Sequence, residues 1–318
     1  MYTSNNCTDK VKIMKQTNLK YVILSLVATV FVQSSLFSQV GIGTLEPEGL
    51  LDIESTTQGI VFPRVVLTST IVEAPVVNPN GGGLVSGTAV YNTTASNTGS
   101  NDVYPGLYIW DAVVGIWSPQ FNMEEYKKYE QTGGCLRTEI EEGPSDPDPT
   151  NVITVPMDGA NSNTFVPSYT GTYRIEVKTN FAAGQIDPFT SNDDISLATS
   201  EGAFFFSLSG PGVSIDPVPG GNQYDYTQGW MYTHSYSSHS AIETPNLDHD
   251  KVPHYVTSVF YRDLSAGQNY TFTLTNNINT GEQYFVDNGD MNGGSISVGQ
   301  GHIGHDVPCT IEFTFLQE

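Results

Sequence analysis

Thr172-Tyr-Arg-Ile-Glu-Val-Lys178 sets Tyr173, Ile175 and Val177 on one side of an extended chain and Arg174, Glu176 and Lys178 on the other. A two-residue period of this kind marks a strand packed on one face and wet on the other. Tyr270-Thr-Phe-Thr-Leu-Thr275 and Thr310-Ile-Glu-Phe-Thr-Phe315 repeat it, as strands of antiparallel sandwiches do. Ala203-Phe-Phe-Phe-Ser-Leu208 is apolar on both faces, which places it at the centre of the sandwich or under a partner subunit. Between such runs stand Gly, Pro, Asn and Asp, and helical periodicity is nearly absent. The fold class read from these patterns is all-β.

Upstream, one short segment has helical character. In Asn122-Met-Glu-Glu-Tyr-Lys-Lys-Tyr-Glu130, Asn122 is a capping residue and Glu124 and Glu125 suit a first turn, with Gly133-Gly134 as the stop. Residues 122–134 are therefore expected to be a short helical neck. At two turns it is too short to be stable alone, so packing against copies of itself through Met123, Tyr126 and Tyr129 is expected to support it. It divides a β-rich stalk or attachment module at 39–121 from an antiparallel β-sandwich head at 135–318.

Residues 1–38 have the layout of a signal peptide. Lys15 and Lys20 precede the apolar run Tyr21 to Val32, and Leu36-Phe37-Ser38 offers a small residue before a cut. The run is short of the ~20 residues of a membrane span, so a secreted or cell-surface location is expected, without stable membrane insertion after cleavage. Losing this segment removes four Lys and one Asp. The remainder carries eight basic against thirty-three acidic side chains, a formal charge of −25, where the whole chain has −22. So acidic a surface repels phosphate backbones and anionic lipid, which argues against nucleic-acid binding.

Two family resemblances add to this reading. Gln39-Val-Gly-Ile-Gly-Thr44, Pro47, Leu51-Asp-Ile53, Gly59-Ile60 with Pro63-Arg64, Val90-Tyr-Asn-Thr93 and Gly106-Leu-Tyr-Ile-Trp110 leading to Trp117 resemble the N-terminal cassette of secreted surface proteins of Bacteroidetes-type bacteria. Similar cassettes precede tail-fibre-like and adhesin-like modules. The resemblance implies an extended β-rich stalk and no chemistry of its own; Gly59 to Arg64 is expected to be one of its strands. Phe165, Gly171, Tyr173 and the strand that follows, with the hairpin Val259 to Tyr270 and its turn at Gly267, are similar to the signature of the tumour necrosis factor and complement-head jelly roll. That family implies a homotrimer with aromatic residues around a three-fold axis. The sequence departs from it at Ile175, where Phe is usual, and in the length of 181–256.

Candidate sites lie mostly in the head. Tyr224, Tyr226, Trp230, Tyr232 and Tyr236 suit stacking on sugar rings or contact with a protein, and equally suit packing of the 181–256 insertion onto the sandwich. All six histidines fall in the last part of the chain. His302-Ile-Gly-His305-Asp306 puts two imidazoles and a carboxylate in one loop, a donor set for zinc or another late first-row ion, or simply a solvated loop. Asp287, Asp290 and Asn292 in Asp287-Asn-Gly-Asp-Met-Asn-Gly293 supply oxygens for calcium, though a turn uses the same residues. Cys135 and Cys309 invite a disulfide in an exported chain. The expected placement at opposite ends of neighbouring antiparallel strands counts against it, because a bridge needs Cα atoms within ~7 Å.

Catalytic arrangements are missing from the sequence: no Gly-x-Ser-x-Gly elbow, no phosphate-binding loop and no Cys–His pairing is recognisable. The leading expectation is a non-enzymatic, exported binding or adhesion protein that needs no cofactor, with calcium or zinc as the candidate ions. Its trimeric head would contact a surface glycan or protein. A structural subunit of an extracellular fibre and a glycan hydrolase using paired carboxylates are the alternatives.

Overall fold

The computed structural model describes residues 19–23, 39–137, 152–159, 163–183, 195–217, 225–240, 247–249, 252–278 and 301–316. The chain divides into two compact units, Met1–Val61 and Phe62–Glu318. The second unit therefore holds both a small sheet and the sandwich, where the sequence placed a module boundary after residue 121.

In the first unit, β1 (Val40–Ile42) and β2 (Leu51–Ile53) pair in parallel, Val40 opposite Leu51 and Ile42 opposite Ile53. Two strands alone are marginal in water, and these expose Val40, Ile42, Leu51 and Ile53.

The second unit opens with a four-stranded sheet: β3 (Arg64–Val65), β4 (Ala89–Asn92), β5 (Gly106–Asp111) and β6 (Ile116–Pro119), in that order. Residues 59–63, expected within a strand, precede it: pairing starts only at Arg64, since Pro63 has no N–H to give a ladder. Leu67, Leu84, Val90, Val103, Tyr108, Trp110 and Trp117 form its core. Trp110 and Trp117 face each other across β5 and β6 with ring centroids 5.2 Å apart. Asn92 is fully buried and ties three segments: its Oδ1 accepts from Leu67 N, and its Nδ2 donates to the carbonyls of Thr94 and Tyr104.

The sandwich begins with β7 (Tyr126–Glu130) and β8 (Leu136–Arg137), then β9 (Ile153–Thr154), β10 (Thr164–Phe165), β11 (Gly171–Ala182), β12 (Ile195–Gly210) and β13 (Val213–Ile215). After a 3-10 turn at Tyr226–Gln228 come β14 (Trp230–Ser240), β15 (Leu247–His249), β16 (Pro253–Leu264), β17 (Tyr270–Ile278), β18 (His302–Ile303) and β19 (Thr310–Phe315). One sheet runs β7-β19-β11, with β16 along the other edge of β11 and β18-β8 continuing the line of β19. The other runs β10-β17-β12-β14-β15, with β9 on β17 and β13 on β12. The chain passes repeatedly from one sheet to the other, which is jelly-roll topology.

Tyr173, Ile175 and Val177 are fully buried, as their alternation requires, and share one core with Phe313 of the neighbouring β19 and with Phe272 and Phe206 of the other sheet. Phe165 stacks on Phe313 at 4.2 Å. A Cβ at Gly210 would strike the Tyr270 ring. On the outer face Glu176 receives Arg174 and Lys178, and Lys178 also reaches Glu312 at 3.3 Å.

The expected helical neck is a strand. Residues 126–130 pair antiparallel with β19, Tyr126 opposite Thr314 and Glu130 opposite Thr310. A two-turn helix has too few internal bonds to persist; as a strand the same residues complete the sheet edge, and Tyr129 buries its ring 4.7 Å from Phe272. Glu125 does not serve a helix end either. Its carboxylate accepts from Ser168 N and Oγ at 2.9 and 2.8 Å and from the Tyr173 hydroxyl. Burial, and then that carboxylate, push the Tyr173 phenol well above its usual range.

Candidate functional site

Three parts of the molecule have features a folding domain does not need. The first is the set of apolar side chains exposed along residues 40–61 of the first unit and, separately, along residues 62–114 of the second. Ile60, Val61, Val66, Ile71, Val77, Val85, Val113 and Val114 are more than half exposed, as are Leu45, Leu50 and Leu51. Their chain is ordered by backbone bonds and polar turns: Trp117 Nε1 donates to Val72 O at 2.9 Å, and Leu84 N donates to Glu73 Oε2 at 3.1 Å. In the second unit, aliphatic side chains held outward by these bonds form an apolar surface of the kind that marks an interaction site.

Residues 41–129 match a family model. It is the phage tail like trimerisation region. The match runs from β1 to β7 and so spans the exposed aliphatic surface and the small sheet. This trimerisation region supports assembly as a homotrimer and a fibre-like character for the chain. No curated protein matches the chain.

Within the matched stretch, the small sheet is bolted to the sandwich. Asp102 is 7 % exposed, and its Oδ1 accepts from Ser96 Oγ, Thr98 N, Thr98 Oγ1 and Gly99 N. Its Oδ2 accepts from Thr170 Oγ1 at 2.7 Å, while Thr170 N donates to Tyr104 OH at 2.6 Å and Ala266 N to Thr170 Oγ1 at 3.0 Å. Tyr104 and Tyr169 pack edge to face at 4.9 Å. The most buried carboxylates among the described residues, Asp102 and Glu176, thus have their oxygens committed to structural partners.

The second feature is a groove beside β16. Tyr226, Thr227, Ser258, Val259, Phe260, Tyr261 and Arg262 line a space of about 320 Å3. Arg262 holds its rim by donating to Tyr261 O and Thr227 O. Tyr226 and Tyr261 are more than half exposed, and Tyr255 lies further along the same strand at 71 %. The five aromatic residues singled out in the sequence do not converge. Tyr226 belongs to the groove; Trp230 is buried against Phe205 at 4.8 Å, with Tyr232 beside it; Tyr236 is exposed and touches His254. Tyr224 lies outside the described residues. The Trp230 indole closes a small apolar cluster with Ala203 and Phe205. Tyr255 and Tyr261 went unrecognised in the sequence, although their odd-numbered alternation with Val259 was a legible signal.

The third feature is the 302–306 loop. His302 is 6 % exposed, and its Nδ1 lies 3.4 Å from Cys135 Sγ. The His305 ring meets that of His302 edge on at 5.9 Å, and His305 Nδ1 lies 3.1 Å from Asp306 Oδ2 without the alignment of a hydrogen bond. Asp306 holds φ +61°, in the left-handed region that Asp and Asn enter more readily than other non-glycine residues. Asp287, Asp290 and Asn292 lie outside the described residues.

The cysteines are not where the sequence reading put them. On its outer side β19 pairs with β7, and Cys135 follows β7 beyond Gly133-Gly134, so Cys135 and Cys309 lie at the same end of the sheet, around Gln131. That side chain donates to Gly134 O and Ile303 O and accepts from Cys309 N. No disulfide joins the two, both of which are among the described residues. Cys309 is fully buried, takes a hydrogen bond from Asn180 N, and has its thiol pushed up to about 12 by that burial.

Proposed function

We propose that this is an exported, non-enzymatic surface protein. Its residues 40–121 bind three copies into a stalk, and its jelly-roll head contacts a glycan or a protein through the groove beside β16. The observation that carries the reading is the contrast in what each part exposes. Along residues 40–114 the exposed apolar residues are aliphatic except Tyr91, and so have no polar atom to offer water. On the head most are tyrosines, which combine an apolar face with a hydroxyl and suit recognition of sugars and protein surfaces. Asp102, Glu125 and Glu176 spend their carboxylates on the frame, which favours binding over carboxylate catalysis.

The test is binding of the full chain to arrays of glycans and to host or bacterial surface proteins, with Tyr261→Ala as the comparison. Retention on a glycan or protein without turnover, weakened at least tenfold in Tyr261→Ala, supports a binding head. Release of reducing ends supports a hydrolase instead. Filament growth with no ligand retained supports a purely structural fibre subunit.

A further inference from the structure

The residues gathered around Gln131 form an arrangement that no single stretch of sequence contains. Gly133-Gly134, both with φ near +80°, turn the chain back after β7. Gln131 then holds Gly134 and Ile303 by their carbonyls. With Leu136 opposite Ile303 and Arg137 opposite His302 in the β8–β18 pair, Cys135 is delivered to the side chain of His302, 167 positions away.

One separation, that of the hydrogen-bonded Cys135 and His302, equals that of two ligands on one ion, and the spacing of the two imidazole rings is wider by about 1 Å. With Zn–S ≈ 2.3 Å and Zn–N ≈ 2.0 Å at tetrahedral angles, sulfur and nitrogen on a shared zinc lie ~3.5 Å apart, and two imidazole ring centres lie ~5 Å apart. Cys135 Sγ and His302 Nδ1 are 3.4 Å apart, and the His302 and His305 rings are 5.9 Å apart. Nδ1 of His305 is buried without a hydrogen bond, and the carboxylate of Asp306 stands beside it. Among the described residues no three such side chains yet surround one point: Cys135 and His302 are in position, and His305 and Asp306 stand on the adjoining turn. That turn includes Gly304 (φ +71°) and Asp306 (φ +61°).

We propose that Cys135, His302 and His305, with Asp306 as a fourth ligand or as the hydrogen-bond partner of His305, bind one zinc-class ion when the His305 ring turns toward the sulfur. A thiolate with two imidazoles is a donor set that favours zinc over calcium or magnesium. The ion fastens β8 and the 302–306 turn to the body of the head. Gln131 is a positioning residue for it and not a ligand.

The test uses the untagged full chain, loaded with zinc and dialysed against metal-free buffer. About one zinc per chain is expected to remain, and chelation is expected to lower the melting temperature. Cobalt in place of zinc is expected to give a thiolate charge-transfer band in the near ultraviolet. Cys135→Ser, at an exposed position, is expected to keep the fold by circular dichroism while losing that band and most of the bound zinc. His302→Ala is expected to lose the zinc as well. Retention of no zinc by the wild-type chain overturns the proposal, as does equal retention in Cys135→Ser.

Discussion

Residues 40–121 and the sandwich that follows are both β-structure, yet they place apolar side chains in opposite ways. The sandwich puts Phe165, Phe206, Phe272 and Phe313 in a closed interior and leaves mostly tyrosines outside. The upstream region has a small core around Trp110 and Trp117 and leaves aliphatic residues from Val40 to Val114 in water. At ~1.5–3 kcal/mol for each fully buried Val, Leu or Ile, three copies have much to gain by closing over that surface. The difference teaches that the head folds on its own interior, whereas the upstream region leaves apolar surface that, on the proposed reading, other copies cover.

The strongest way to break this comparison is to charge the exposed aliphatic surface. Val66→Asp with Val72→Asp is expected to dissociate the trimer, since each unpaired carboxylate buried at an apolar contact costs several kcal/mol and recurs in every copy. Sedimentation velocity would show the change, while the β-sheet circular dichroism of the head persists. The converse is Phe313→Ala. It is expected to destabilise the sandwich by about 3–5 kcal/mol through the cavity left between Phe165, Tyr129 and Phe272, read by denaturant melting, with trimer mass unchanged in native buffer.

A smaller effect sharpens the boundary between the two regions. Thr170→Val strands Asp102 Oδ2 and the Ala266 amide, and is expected to cost about 1–3 kcal/mol. Faster hydrogen exchange at Ala266 would mark the loosened joint. The smallest effect concerns the head's wet face. Glu176 titrates below its ordinary value of 4.5 because Lys178 and then Arg174 favour its charged form. A depressed carboxylate stabilises the fold above its unfolded value, and that contribution is lost as pH falls through the folded one. The melting-temperature gap between wild type and Glu176→Gln is therefore expected to be constant from pH 7 to about 5, and to close on further acidification. Its size is modest, on the order of 1 kcal/mol or less for a partly solvated network.

Much of the sandwich was legible because period-two alternation has one physical meaning when one face is buried. Thr172 to Lys178 and Thr310 to Phe315 lie side by side in register, each with its apolar face inward. Tyr126 to Glu130 was not legible as a strand. Its acids, lysines and capping Asn122 satisfy helix rules locally, and only the open edge of β19, formed nearly two hundred residues later, decides the outcome. The same holds for the candidate site. His302 and His305 advertise themselves by spacing, but Cys135 joins them through the β8–β18 pairing and the grip of Gln131, which are long-range facts. Trp230 is the opposite case: its composition fits a binding surface, and its place opposite Phe205 makes it core.

The central claim is that the exposed aliphatic surface is an interface between copies, and light scattering of the purified full chain across a range of concentrations tests it most directly. A mass three times that of the 34.5 kDa chain, unchanged on dilution, is the predicted result; a mass equal to one chain throughout would contradict the account.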